Sequence, residues 1–132
     1  MFTLSNGVLF PTRPFVITIF LLGALYSGTI SSKQTDIKRV VAYSSVSHMN
    51  LALAGLFTLT STGLKGAVLY MIAHGLASAL LFFLVGFIYE RYHTRSLFYF
   101  SNHAAHSPFF AVSFVCGNLF NIALPGSLNF IG

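Results

Sequence analysis

The chain has 132 residues, 55% of them hydrophobic and 7% charged, with a mean hydropathy of +0.79, whereas a water-soluble domain carries about 25% charge. Seven cations and two carboxylates cannot coat a soluble surface, this much apolar character rules out disorder, and a single cysteine, Cys116, rules out a disulfide-built module. The net charge of +5 is spread singly between apolar stretches instead of clustering as a nucleic-acid footprint would, so nucleic acid is rejected as a partner.

What remains is an all-α, polytopic membrane protein. A hydrocarbon core of about 30 Å needs roughly 20 apolar residues at 1.5 Å each, and four uncharged runs approach that length. The first extends from Pro14 to Ser32, between Arg13 and Lys33. Its apolar core followed by small residues also has the form of a signal peptide, but no cation precedes Arg13 and more membrane span follows. The second has its body from Val40 to Leu59, and the third goes from Gly66 to Tyr89. The fourth begins near Pro108 and is interrupted at Pro125-Gly126. An interior proline frees a backbone carbonyl, which membrane helices tolerate only where protein or water meets it, so this last helix is expected to be broken.

The connections SKQTDIKR, TSTGLK and ERYHTRSLFYFSNHAAHS are short and polar, which predicts antiparallel neighbours in one membrane domain, residues 1–132. Lys33, Lys38, Arg39, Arg91 and Arg95 fall on one side and Arg13 and Lys65 on the other. That bias sets the first and third connections toward the bacterial cytoplasm or the mitochondrial matrix.

Ionisable groups inside spans are costly and therefore informative. His48 lies nine residues beyond Arg39 and His74 nine beyond Lys65, so each ring sits roughly 14 Å deep, entering from opposite faces. Two imidazoles at the midplane of consecutive antiparallel helices suit lateral proton transfer, because each ring can take up and release a proton near neutral pH. An interhelical hydrogen bond with no further role is the competing reading. Ser44, Ser47 and His48 share one face of the second span, and Tyr70, His74 and Ser78 one face of the third. The serines either hold water for proton hops or tie helices together. Lys38 and Arg39 stand at the inner entrance of the second span, where positive-inside anchoring is the plain explanation. His93, His103 and His106 are spaced for a metal, but no cysteine or carboxylate completes a set. Phosphate-loop, nucleophile-elbow and zinc-protease motifs do not occur.

The stretch QTDIKRVVAYSSVSHM, residues 34–49, resembles a signature of the antiporter-like subunits of proton-pumping NADH:quinone oxidoreductase, respiratory complex I. With MIAHGL at 71–76 and YERYHTR at 89–95, the wording is similar to subunit 4 rather than subunits 2 and 5. NIALPGSLNFIG, residues 121–132, resembles the broken helix of that family. The resemblance implies redox-driven proton translocation in a mitochondrial inner membrane, or a bacterial plasma membrane, with no bond chemistry in this chain. It implies that His48 and His74 belong to a midmembrane hydrophilic axis, that Ser44 and Ser47 line the same wet path, and that Lys38 is a point of proton uptake. No cofactor is expected on this chain; NADH, FMN, iron–sulfur clusters and ubiquinone would sit elsewhere in the complex. The lysine pair, its glutamate partner and the later charged group of the family are not in this sequence. The expectation is thus a separately encoded or truncated fragment, completed by the remaining fragments of the subunit, other membrane subunits and lipids. Lys65 and SNHAAHS depart from the family pattern. A structural accessory protein and a cation/proton antiporter are the alternatives.

Overall fold

The computed structural model describes residues 2–99 and 107–132, with side chains from residue 11 onward. His103 and His106 lie outside the described residues. Among the described residues, five helices have both ends defined, in chain order α1 (Phe2–Lys33), α2 (Ile37–Phe57), α3 (Ser61–Tyr92), α4 (Pro108–Asn121) and α5 (Leu128–Ile131). Three are long and apolar enough to cross a membrane: Pro11–Lys33 within α1, then α2 and α3. At 14 residues, α4 reaches only about 21 Å, short of the hydrocarbon thickness. The chain is an all-α, multi-pass membrane protein.

Three boundaries differ from the sequence expectation, each for a local reason. The first helix continues through Pro11 and Pro14 instead of starting at Pro14. In a long apolar helix, the two lost N–H donors do not outweigh the bonds that the rest of the segment must make internally. TSTGLK is mostly the opening of α3, not a loop. The Thr60 side chain accepts from the Gly63 N–H at 3.1 Å as an N-cap, while Thr58 Oγ1 donates to the Gly55 carbonyl at 2.6 Å to close α2. The reversal therefore needs only residues 58–60, with Leu59 in the left-handed region at φ 53°. The third difference is that the last helix stops at Asn121, ahead of Pro125. A residue before proline is disfavoured in the α conformation, and the exit is made by Ala123 at φ 61° and Gly126 at φ 101° before α5 begins.

α1 lies along α2 through small residues. Ser47 Oγ donates to the Ala24 carbonyl at 2.8 Å and Ser31 Oγ to the Val40 carbonyl at 3.1 Å. Such side-chain bonds hold helices together where no hydrophobic driving force acts between them. α2 meets α3 over a core of Ile37, Val41, Leu81 and Val85, with Phe82 and Phe114 against it. Gly117 lets α4 approach, since a Cβ there would sit 2.9 Å from Leu81 Cδ2. At the other end of α3, the turn at His93 folds back on the start of α2. Ile37 N–H donates to the Arg95 carbonyl and Leu97 N–H to the Thr35 carbonyl, both at 3.1 Å, around an antiparallel Asp36–Ser96 bridge. The first and third connections are thereby fastened to each other at one end of the bundle, the end that carries Lys33, Lys38, Arg39, Arg91 and Arg95.

Candidate functional site: a buried histidine pair

α2 and α3 bring His48 and His74 together, with ring centroids 5.1 Å apart. His48 is the twelfth residue of α2 and His74 the fourteenth of α3, so both sit about 17–20 Å along their helices, near mid-span. His74 is 1% exposed, one of the two most enclosed large side chains among the described residues. The Tyr70 hydroxyl and His48 Nδ1 are hydrogen-bonded at 2.7 Å across the α2–α3 interface. Tyr70 also stacks parallel to His74, centroids 6.1 Å apart and planes 6° from parallel. One turn separates Tyr70 from His74, so a single face of α3 presents the phenol and the imidazole to the same partner on α2.

Neither His74 ring nitrogen has a hydrogen-bond partner among the described residues. Asn121, the last residue of α4, brings its side-chain amide up to the ring as its nearest polar neighbour, and its own Oδ1 is also buried without a well-formed hydrogen bond. Asn129 repeats the pattern: its Nδ2 donates to the Phe120 carbonyl at 2.8 Å, while Oδ1 is buried without a partner. Buried polar atoms are paired in the great majority of structures, and leaving one unpaired costs about 1–3 kcal/mol. His74, Asn121 and Asn129 thus each hold a buried polar atom without a well-formed hydrogen bond.

The other sequence candidates fall in different places. Ser44 Oγ donates to the Val41 carbonyl of its own helix at 2.8 Å, and Ser47 turns to α1. On α2 the histidine therefore faces α3, while the neighbouring serine faces the opposite helix. Ser78 Oγ donates to the Gly75 carbonyl at 3.1 Å. Lys38 is exposed at the start of α2 and, with Tyr89 and Arg95, lines a separate cavity of about 210 Å³. The Arg95 guanidinium lies over the Tyr89 ring there, 4.3 Å from its centroid. Among the described residues no three His, Cys, Asp or Glu side chains gather to hold a metal. Asn121 and Asn129 were missed as site residues. Their signal was present in the sequence, as amides inside an otherwise apolar stretch, an expensive placement in hydrocarbon.

Comparison with known proteins agrees with this architecture. The family described as NADH:quinone oxidoreductase/Mrp antiporter, TM, matches residues 2–132. NADH-ubiquinone oxidoreductase chain 4 of Wickerhamomyces canadensis is 43% identical over 128 residues, covering 96% of this chain and 25% of the relative. The proteins of the same name from Acanthamoeba castellanii and Metridium senile are 43% and 44% identical, covering 90% and 89% of this chain and 24% of each relative. The chain spans about a quarter of the length of these curated relatives. With nearly its whole length matched, the chain belongs to the NADH:quinone oxidoreductase/Mrp antiporter transmembrane family, with the sequence of a chain 4 segment.

Proposed function

We propose that this chain forms part of the proton path in the membrane arm of a proton-translocating NADH:ubiquinone oxidoreductase of the mitochondrial inner membrane. The observation that carries the reading is the pair of midspan imidazoles at 5.1 Å, one per antiparallel helix, with Tyr70 hydrogen-bonded to the first. At that separation the ring nitrogens are within direct or single-water reach of each other, the range over which protons transfer. A proton taken by one ring raises the cost of charging the other, so protons move singly and in order. Ser44 and Ser47 donate to carbonyls and keep oxygen lone pairs free to hold water, Ser47 on the side of α2 that meets α1. Lys38, exposed among the cations at the inner end, is the uptake group.

In this reading the chain makes and breaks no covalent bond except those to protons. It binds no cofactor itself; NADH, FMN, iron–sulfur clusters and ubiquinone belong to other chains of the assembly. Its partners are the neighbouring membrane subunits and lipid. The names of the relatives support the assembly, and the buried pair supports the relay. The assembly is tested by tagging the chain in its native membrane, purifying it in mild detergent and identifying its companions by mass. Recovery of NADH:ubiquinone oxidoreductase subunits is expected. Recovery of the chain alone, or with unrelated carriers, would remove the assignment.

A further inference from the structure

α2 carries a further polar side chain about 3 Å along the helix from His48. Asn50 stands two residues past that histidine and about 200° further round the helix, so it is turned toward α1 while His48 faces α3. What it meets on α1 is Gly23. A Cβ on Gly23 would lie 3.0 Å from Asn50 Nδ2 and 3.4 Å from Asn50 Cγ, inside the roughly 3.5–4.0 Å of ordinary van der Waals contact. The carboxamide therefore occupies a notch where α1 has no side chain. This contact is in register with the rest of the α1–α2 seam. Ser31 Oγ donates to the Val40 carbonyl, Ser47 Oγ donates to the Ala24 carbonyl, and Phe20 packs on Phe57 with ring centroids 5.4 Å apart. As residue numbers fall along α1 they rise along α2, so α1 is an antiparallel template on which α2 settles at one height and one rotation.

We infer that Asn50, seated in the Gly23 notch, is a positioning residue for the histidine pair: through it, α1 sets the rotation of α2 at which His48 meets Tyr70 and His74. The inference rests on the proton-path reading and adds a part for α1, which contributes no ring to the pair. His48 and Asn50 project from opposite sides of one helix to similar distances from its axis. A turn of α2 that withdraws Asn50 by about 1 Å therefore swings the His48 ring by about the same amount. The bond at stake has little room for that. Tyr70 Oη and His48 Nδ1 are 2.7 Å apart, and an added ångström takes them past the roughly 3.2 Å at which such bonds end. The Ser47 bond to Ala24 holds the rotation less strictly, because a hydroxyl hydrogen reorients to suit its acceptor. A carboxamide lodged against the backbone of α1 has no such give. The notch is thus a lever on His48 from the far side of its own helix.

Size can be exchanged across this contact without touching either histidine. Gly23→Val fills the notch from α1, and adding Asn50→Ala removes the group that it displaces, a trade of volume that packed interiors tolerate. Gly75→Val is the control, since a Cβ at Gly75 meets nothing within 4 Å. The readout is the ¹⁵N resonance of His48 Nδ1, measured on the full histidine-labelled chain in lipid bilayers, with Tyr70→Phe marking its position when the bond is absent. Gly23→Val should move the resonance to the Tyr70→Phe position. Gly23→Ala, whose Cβ asks Asn50 to give by a few tenths of an ångström, should move it part of the way in the same direction. The paired variant Gly23→Val with Asn50→Ala should return it, and Gly75→Val should leave it in place. An unmoved resonance in Gly23→Val at unchanged helix content, or one that stays displaced when Asn50→Ala is added, would overturn the positioning role. So would an equal displacement in Gly75→Val. Should Gly23→Val fail to fold, Gly23→Ala decides, and an unmoved resonance there would overturn the role as well. Because a bond within the chain is read instead of pumping, the role of Asn50 can fail while the relay in the assembled complex stands, and the reverse.

Discussion

His74 is the side chain whose surroundings say most. It is buried to 1% exposure with both ring nitrogens unpartnered, although a histidine kept for packing would be expected to donate to a carbonyl or hydroxyl nearby. Replacing an unpaired buried polar group with an apolar one of similar size removes its desolvation cost and is neutral or stabilising. His74→Leu should therefore leave resistance to thermal unfolding in detergent unchanged or raise it by about 1 kcal/mol. A clear loss of stability would instead mark His74 as a structural tie. Tyr70 differs, because its bond to His48 crosses the helix interface at 2.7 Å, and side-chain bonds of this kind in membranes average about 0.6 kcal/mol. The histidines and the tyrosine were legible in the sequence as polar residues on helix faces. The depth at which the two imidazoles meet was legible too, but the bond from Tyr70 to His48 was not, because the rotation of α2 about its axis decides whether His48 or Ser47 meets α3, and both lie on one polar stripe. The α1 contact at Ala24, which claims Ser47, settles that rotation.

At the scale of elements, the uncharged runs located α2, α3 and the C-terminal end of α1 to within a few residues, but not the start of α1 at Phe2, because length and the exclusion of charge are the dominant constraints in a bilayer. The errors fell at the ends. Thr60 through Lys65 read as a loop from its hydroxyls and glycine, yet these same residues start α3, because Thr60 satisfies an otherwise orphaned N–H of the first turn. Thr60→Ala should thus cost about 1 kcal/mol, read as a lower unfolding midpoint in detergent, whereas Thr60→Ser should recover most of it. Equal stability of the two variants would mean that the cap does not hold the turn. The break after Asn121 was foreseen from Pro125. That it sets Asn121 beside His74 was not, because the fourth run gave no sign of how α4 would tilt. Leu81 and Gly117 fix that tilt through close packing.

On the scale of the molecule, most large apolar side chains point away from the bundle, among them Leu22, Phe83 and Phe109 at 65%, 72% and 85% exposure. Large apolar side chains turned outward suit a surface that faces lipid. Inside, His74, Asn121 and Asn129 are buried, and the two imidazole rings meet near mid-span. The measurement that tests this most directly is the number of protons moved per NADH oxidised by the assembled complex when His48 is replaced by glutamine. The amide can hydrogen-bond with Tyr70 but cannot cycle a proton near neutral pH. Complex of normal subunit content that moves fewer protons per NADH is the predicted result. An unchanged ratio in an intact complex would contradict the relay.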